Sequence, residues 1–445
     1  MAEPLRLGVA GLGTVGASLV RILAEKHNFL TDRCGRVIEV VAVCARDRSR
    51  ERSVDLSAMK WFDDAVALAR DPAIDVFVEL IGGDSGPAHD SVVAALDAGK
   101  HVVTANKALL ARHGTELAMK AEQNGLILNF EAAVAGGIPI IKTMREALTA
   151  NSVNRVFGIL NGTCNYILTR MEREGISYDD CLAEAQRLGY AEADPTFDVE
   201  GFDTAHKLAI LTSIAFGTKV AVDEIYVEGI SNITPADIQA AYDLGYRIKL
   251  LGVAQWTETG IEQRVHPTMV PVDSTIAQIH EVTNAVAIDG DIVGQLVLTG
   301  PGAGGDATAA AVAGDIAHIA KSHPGHQTAP AFGTPAKHLA PYKQARMRAH
   351  EGGYFIRMDV YDRAGVFASV AKHMAEKDIS LASIVQHRPN QPKGATPQVA
   401  ASENGEQTII LVTHTTTEKA IRAALEKIKA DGHLISEPQM IRIEN

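Results

Sequence analysis

Leu5-Arg6-Leu7-Gly8-Val9-Ala10, followed at once by Gly11-Leu12-Gly13-Thr14-Val15-Gly16, decides the fold of this chain. The first six residues read as a short buried strand, the next six as a tight turn, and residues 17–25 as a helix. In that order each glycine has a mechanical use. One makes the turn, one lets backbone approach a pyrophosphate closely, and one lets the helix meet the sheet. The pattern is the opening of a strand-helix-strand unit for a dinucleotide, with Gly11, Gly13, Thr14, Val15 and Gly16 as its contacts. The bland alternative is an ordinary glycine turn.

Working outward, residues 37–44, 75–80, 101–104 and 126–130 read as further strands, and residues 65–70, 88–98 and 108–123 as helices between them. The alternation predicts an α/β fold built on a Rossmann-type doubly wound parallel sheet over residues 1–135. The second strand ends without an acid to hold a ribose diol, and Arg46 comes next. That favours NADP over NAD, because a guanidinium pairs bidentately with a phosphate. Arg48 and Arg50 are candidate helpers, and Asp47 is the residue that could turn inward and reverse the preference.

After Gly136-Gly137-Ile138-Pro139 the rhythm changes to a strand and helix mixture, with segments at 153–160, 166–172, 178–188 and 203–216 and strand-like runs at 222–230, 250–255 and 285–288. Residues 136–320 read as an α+β substrate and dimerisation domain, which makes a homodimer or homotetramer the expected assembly. Near Gly300-Pro301-Gly302-Ala303-Gly304-Gly305 the chain enters an alanine-rich helix ending about Ala320, expected to pack back on the nucleotide domain with Gly304 beside the cofactor. Residues 321–350, rich in Pro, Gly, His and Ala, read as a linker. Residues 351–445 give strand, helix, strand twice, and the polar loop 389–407 interrupts them.

The chain has 445 residues and a net charge of -12, which argues against a broad nucleic-acid or anionic-membrane surface. No signal core or bilayer-length apolar run is seen, so the expected location is cytoplasmic. Cys34, Cys44, Cys164 and Cys181 lack metal or redox spacing and read as free thiols.

The stretch Gly189-Tyr190-Ala191-Glu192-Ala193-Asp194-Pro195-Thr196-Phe197-Asp198-Val199-Glu200-Gly201-Phe202-Asp203-Thr204-Ala205-His206-Lys207 gathers carboxylates and a lysine. Asp203 and Lys207 stand four apart and share one helix face, an arrangement that by itself is commonly a solvated pair. The whole stretch closely resembles the signature of homoserine dehydrogenase, which interconverts L-homoserine and L-aspartate 4-semialdehyde with a nicotinamide cofactor. The resemblance implies that Glu192 holds the substrate, that Asp198 and Asp203 line the site, and that Lys207 handles the proton. It covers nearly the whole chain. Thr104-Ala105-Asn106-Lys107 and Glu79-Leu80-Ile81-Gly82-Gly83 fit it, which implies that Thr104 and Lys107 approach cofactor and substrate.

Two lysines in one pocket would lower the pKa of one of them and ease proton exchange. The resemblance also implies a monovalent cation, usually sodium, held by the acid Glu131 and the backbone oxygens of Val134, Gly136 and Ile138. Asn161-Gly162-Thr163-Cys164-Asn165-Tyr166 belongs to the same resemblance and reads as a strand end leading to a helix capped near Thr163, with positioning of a substrate loop as the alternative to capping. Arg264-Val265-His266-Pro267-Thr268 belongs to it too, with the histidine read as structural.

Residues 359–367 and the strand after them resemble an ACT domain, a small ferredoxin-like module that senses amino acids. By that likeness threonine is the expected effector, near Asp362 and Gly365. Two other readings stand beside this one. Aspartate-semialdehyde dehydrogenase would need Cys164 as a nucleophile. A non-catalytic NADP- and amino-acid-sensing regulator would need no proton-transfer set.

Overall fold

The computed structural model describes residues 3–322, 329–345, 351–387 and 405–444. Strand β1 (Leu5–Ala10) enters helix α1 (Thr14–Glu25) through the glycine turn. Helix α2 (His27–Cys34), β2 (Ile38–Cys44), β3 (Lys60–Phe62), α3 (Ala65–Ala69), β4 (Val76–Glu79), α4 (Pro87–Asp97), β5 (His101–Thr104), α5 (Lys107–Gln123) and β6 (Leu128–Asn129) follow. The six strands pair in parallel in the order β3-β2-β1-β4-β5-β6. This is the doubly wound order, with its reversal between β1 and β4.

Alternation along the strands covers both faces. Val76 and Val78 pack with Leu19 and Leu23 of α1, while Phe77 between them packs with Val92 of α4 and Leu109 of α5.

The second region begins with α6 (Ile140–Lys142), a π-helical turn Thr143–Ala147, β7 (Val153–Ile159), α7 (Gly162–Glu174), α8 (Tyr178–Arg187), α9 (Thr196–Val199) and α10 (Phe202–Phe216). It continues through β8 (Tyr226–Val227), α11 (Pro235–Asp243), β9 (Tyr246–Thr257), β10 (Gly260–Pro271), β11 (Thr283–Gly290), β12 (Gly294–Pro301) and α12 (Gly305–Lys321). Helix α12 packs on α1: Ala309, Val312 and Ile316 join the α1 side of the first region's core. Arg21 and Asp306 close that contact with an ion pair at 2.5 Å. Gly305 is needed there, since a Cβ would lie 2.8 Å from the Ser18 hydroxyl.

The run expected as a strand over 222–230 is instead a 3-10 turn, Val222–Glu224, followed by the two-residue β8. The ladder stops because Gly229 must pass hard against the chain at Glu200, where a Cβ would come within 2.5 Å.

The last region comprises β13 (Glu351–Tyr361), α13 (Val366–Ala375), β14 (Leu381–His387), β15 (Glu406–Thr413), β16 (Thr416–Thr417), α14 (Glu418–Ala430) and β17 (Gln439–Ile443). Its four long strands are antiparallel in the order β17-β13-β15-β14. Numbered within the region, that order is 4-1-3-2, with both helices between strands. β17 also pairs in parallel with β10, through Thr268 with Arg442 and Met269 with Ile443. One sheet of 11 strands therefore runs through the second and last regions.

The segment expected as a linker carries no long element in its described part, yet it is packed down. Phe332 is buried against Phe130 with ring centroids 5.2 Å apart, and Gln344 bridges to Ile261. Residues 323–328 and 346–350 of that segment, and 388–404 of the polar loop, lie outside the described residues. Among the described residues no helix is long and apolar enough to cross a membrane.

Candidate active site

Two glycine-dependent contacts build the nucleotide turn. Gly11 has φ of +101°, and a Cβ there would lie 2.3 Å from the Leu80 carbonyl oxygen. At Gly16 a Cβ would lie 1.9 Å from the carbonyl oxygen of Gly11. Gly13 faces open space and precedes α1 with no side-chain cap, so the first N–H groups of α1 are left for an incoming anion. Thr14 and Val15 lie in that first turn. Gly304, with φ of +112° and open space at its Cβ position, precedes α12, whose first residue Gly305 packs against Thr14.

Asp47 does not turn inward. Its carboxylate accepts from the Ser49 N–H at 2.8 Å, the Ser49 hydroxyl at 2.7 Å and the Arg50 N–H at 3.2 Å. Arg46 is exposed beside it. Arg52, which the sequence reading passed over, donates to the Leu12 carbonyl at 3.3 Å and the Asp47 carbonyl at 2.7 Å, bracing the loop against the glycine turn. Nothing in its spacing marked it.

At the ends of β4 and β5, Glu79 is fully buried. Its carboxylate accepts the Thr104 hydroxyl at 2.5 Å and the N–H groups of Ile81 and Gly82 at 2.7 and 3.0 Å. Burial pushes its pKa up. The Thr104 hydroxyl also accepts from the Asn106 N–H at 2.9 Å and is fully buried. It holds the loop from Glu79 to Gly83, which Asn106 joins by donating to the Gly83 carbonyl at 2.6 Å. Asn106 then caps α5 through the Leu109 N–H, so Lys107 stands on the first turn.

The catalytic candidates converge on Asp203. Gly201, with φ of +87°, swings the chain into α10 and sets Asp203 and Lys207 on one buried face. Asp203 Oδ2 accepts from Lys207 Nζ at 2.7 Å, and Oδ1 lies 3.0 Å from Lys107 Nζ. Lys207 Nζ also donates to the Leu160 carbonyl at 2.7 Å, so one of its three N–H groups is left over. Although burial alone would raise Asp203, the two lysines hold its carboxylate well below the usual range.

Lys107 departs from the expected lowering of a lysine pKa. Lys107 is raised, chiefly by the charge of Asp203, because a carboxylate stands between the two ammonium groups and each meets it before the other. Asp198, on α9, is half-buried and raised by burial and then by Asp203. Glu192 is exposed on the loop before α9 and adds to the field that raises Lys107.

The helix cap expected near Thr163 is Asn161, which also donates from its Nδ2 to Asp198 Oδ1 and Asp203 Oδ2, both at 2.9 Å. Cys164 is buried, donates to the Asp198 carbonyl at 3.2 Å, and has its thiol pushed up by burial. A thiolate nucleophile is disfavoured there, against the semialdehyde dehydrogenase reading. His266 is fully buried and pairs with Thr268, the structural role expected of it.

At the expected cation site the Glu131 carboxylate is buried. Its oxygens accept the N–H groups of Ile141 at 2.7 Å and Lys142 at 3.0 Å, capping α6. Burial and the charge of Asp315 raise the Glu131 pKa to about 7. The loop bearing Val134, Gly136 and Ile138 bends through positive φ at Ala135 and Gly136, and the Ile138 carbonyl accepts the Ile140 N–H at 2.8 Å.

The chain matches two family models, homoserine dehydrogenase over residues 139–317 and the NAD binding domain of homoserine dehydrogenase over residues 11–131. It is 44% identical over 445 residues to homoserine dehydrogenase from Pseudomonas aeruginosa, covering 99% of each chain. The crystal structure of a homoserine dehydrogenase from Thiobacillus denitrificans superposes with a TM-score of 0.90 at 41% identity, over 99% of this chain and 98% of that one. A hyperthermophilic archaeal homoserine dehydrogenase in complex with NADPH superposes with a TM-score of 0.60 at 27% identity, over 71% of this chain and 97% of that one. The chain is thus an NAD(P)-dependent oxidoreductase and belongs to the homoserine dehydrogenase family.

Proposed function

We propose that this enzyme interconverts L-homoserine and L-aspartate 4-semialdehyde, in threonine and methionine biosynthesis, with Lys207 as the proton carrier. The observation behind this reading is the spare N–H of Lys207, fixed by bonds to Asp203 at 2.7 Å and Leu160 at 2.7 Å. Bound NADPH would supply hydride to the carbonyl carbon. Lys207 donates its proton to the carbonyl oxygen as the alcohol forms, and takes it back when homoserine is oxidised. Asp203 keeps that ammonium aimed, Lys107 adds positive charge where the alkoxide develops, and Glu192 and Asp198 grip the substrate ammonium. Lys207→Met should cut turnover by about 10²- to 10⁴-fold while leaving cofactor binding intact. Near-normal turnover in a folded variant would overturn the assignment.

The cofactor is proposed to be NADP. Asp47 is spent within its own turn, leaving Arg46 exposed at the end of β2 to meet a phosphate. Arg46→Ala should collapse the ratio of kcat/KM between NADPH and NADH, and an unchanged ratio would count against it.

We assign the last region to the ACT type from its 4-1-3-2 antiparallel strand order, with threonine as effector near Asp362 and Gly365. Calorimetric titration of the full chain with threonine tests this. For the cation, the bent loop supports backbone oxygens of Val134, Gly136 and Ile138 as ligands, and a higher Tm in sodium than in choline chloride is the expected sign. A homodimer or homotetramer is favoured by the edge strand β12 and its apolar tip, where Ile292 is 73% exposed.

The sensor reading is disfavoured by the paired lysines, which binding alone would not need.

A further inference from the structure

We infer that Asn161 is a positioning residue, one amide that caps α7 with its oxygen and ties Asp198 to Asp203 with its nitrogen. The inference rests on the reading of the site given above. Asn161 is 5% exposed, just past the end of β7. Its Oδ1 accepts the Cys164 N–H at 2.8 Å, the N-cap bond of α7. Its Nδ2 spends both hydrogens on carboxylates, one on Asp198 Oδ1 and one on Asp203 Oδ2, each at 2.9 Å. The amide has a single orientation that works. Flipped, its oxygen would face two carboxylates and its NH2 would face a backbone N–H.

The two acids differ in their support. Asp203 has Lys207 and Lys107 within hydrogen-bond reach, whereas Asp198 is tied to this network through Asn161. Asp198 is also pushed toward protonation by burial and by the neighbouring charge of Asp203, and the Asn161 bond opposes that push. Removing the two N–H donors while keeping the cap should therefore let Asp198 take up a proton at higher pH and leave its place. The lysines and the nucleotide turn are untouched.

Cap and clamp are chemically separable. Serine and aspartate cap helices about as well as asparagine, but neither offers two N–H donors. Asn161→Ser and Asn161→Asp would be made in the full chain. The readouts are Tm, NADP affinity, the homoserine Kd by calorimetry, and kcat/KM for homoserine from pH 6 to 10. Asn161→Ser should keep Tm and NADP affinity. It should weaken homoserine binding about tenfold and move the acid limb of the kcat/KM profile to higher pH. Asn161→Asp, with a third acid in the cluster, should move that limb further.

A wild-type profile and Kd in a folded Asn161→Ser protein would overturn the clamp. If Asn161→Ser does not fold, Asn161→Asp decides, and failure of both to fold would also overturn it, since the amide would then be a structural support. A wild-type enzyme that oxidises no homoserine refutes the reaction itself, which separates that failure from a failure of the clamp.

Discussion

Lys249 shows how far one buried charge can depart from its usual behaviour. It is 1% exposed in β9, where Nζ donates to the Ile279 carbonyl at 2.6 Å and to Asn165 Oδ1 at 3.1 Å, both neutral acceptors. Burial lowers its pKa from 10.5 to about 8, opposed by the charge of Glu172 and helped by Arg247. The unfolded chain therefore holds this proton at pH values where the folded one has released it. The cost of the buried charge is full below pH 8 and relieved as pH rises toward 10.5. Wild type should thus gain on the order of 3 kcal/mol across that window relative to Lys249→Met. Urea denaturation at pH 7.5, 8.5 and 9.5 checks this, and parallel curves for the two proteins would refute it. Asp203, with its pKa held down, behaves in the opposite sense: its contribution is present at neutral pH and lost only in strong acid.

The turn between β1 and α1 separates structural from functional glycines within one element. At Gly16 a methyl group would strike the Gly11 carbonyl at 1.9 Å, a backbone clash that α1 cannot avoid without leaving the sheet. Gly13 has no heavy atom within 4 Å of the same position. Gly16→Ala should therefore lower Tm sharply with or without cofactor. Gly13→Ala should keep the apo Tm within about 2 °C of wild type and raise the NADP KM by at least about tenfold, because the methyl occupies the pyrophosphate's approach. Thermal melts and cofactor kinetics on the two variants settle it, and matching behaviour would mean that the open space at Gly13 has no functional use.

Across the whole molecule, the join between β10 and β17 decides how the last region is attached. Arg442 is 2% exposed there and reaches Glu418 at 2.6 Å on α14 and Glu228 at 3.8 Å beside β8, with the Tyr226 ring 5.2 Å from its guanidinium. Arg264 and Glu262 of β10 pair with each other beneath it. A second crossing joins Arg357 of β13 to the buried Asp237 of α11 at 2.6 Å. Breaking one buried partner costs about 3 to 5 kcal/mol. Wild type should melt in one transition by calorimetry. Arg442→Met should lower that transition or split it, and an unchanged single transition would show that the join carries little of the stability. From Glu228 the backbone leads directly to the Ile230 N–H, bonded to the Val199 carbonyl at 2.9 Å one residue from Asp198. The same variant is therefore expected to change the homoserine KM.

How much of this was legible follows from where each feature's information lies. The nucleotide sheet could be read because β1, β2, β4 and β5 are apolar runs with breakers between them, and a local pattern suffices for them. β10 could not: Glu262, Gln263, Arg264, His266 and Thr268 are all buried in it, and only the facing charges make their burial tolerable. In the site, Asp203, Lys207 and Lys107 were legible as residue types. The second bond of Asn161 and the closure of Thr104 onto Glu79 were not, because each partner arrives from a distant part of the chain.

The sequence by itself determined the doubly wound sheet, the glycine cradle and the set of acids and lysines, since helix and strand periods and short motifs act within a few residues. Only the tertiary structure decided that one carboxylate stands between two lysines, raising Lys107 rather than lowering it. It also decided that two regions share one sheet. Electrostatic order and strand partnership depend on distances between remote residues, and those exist only once the chain has folded.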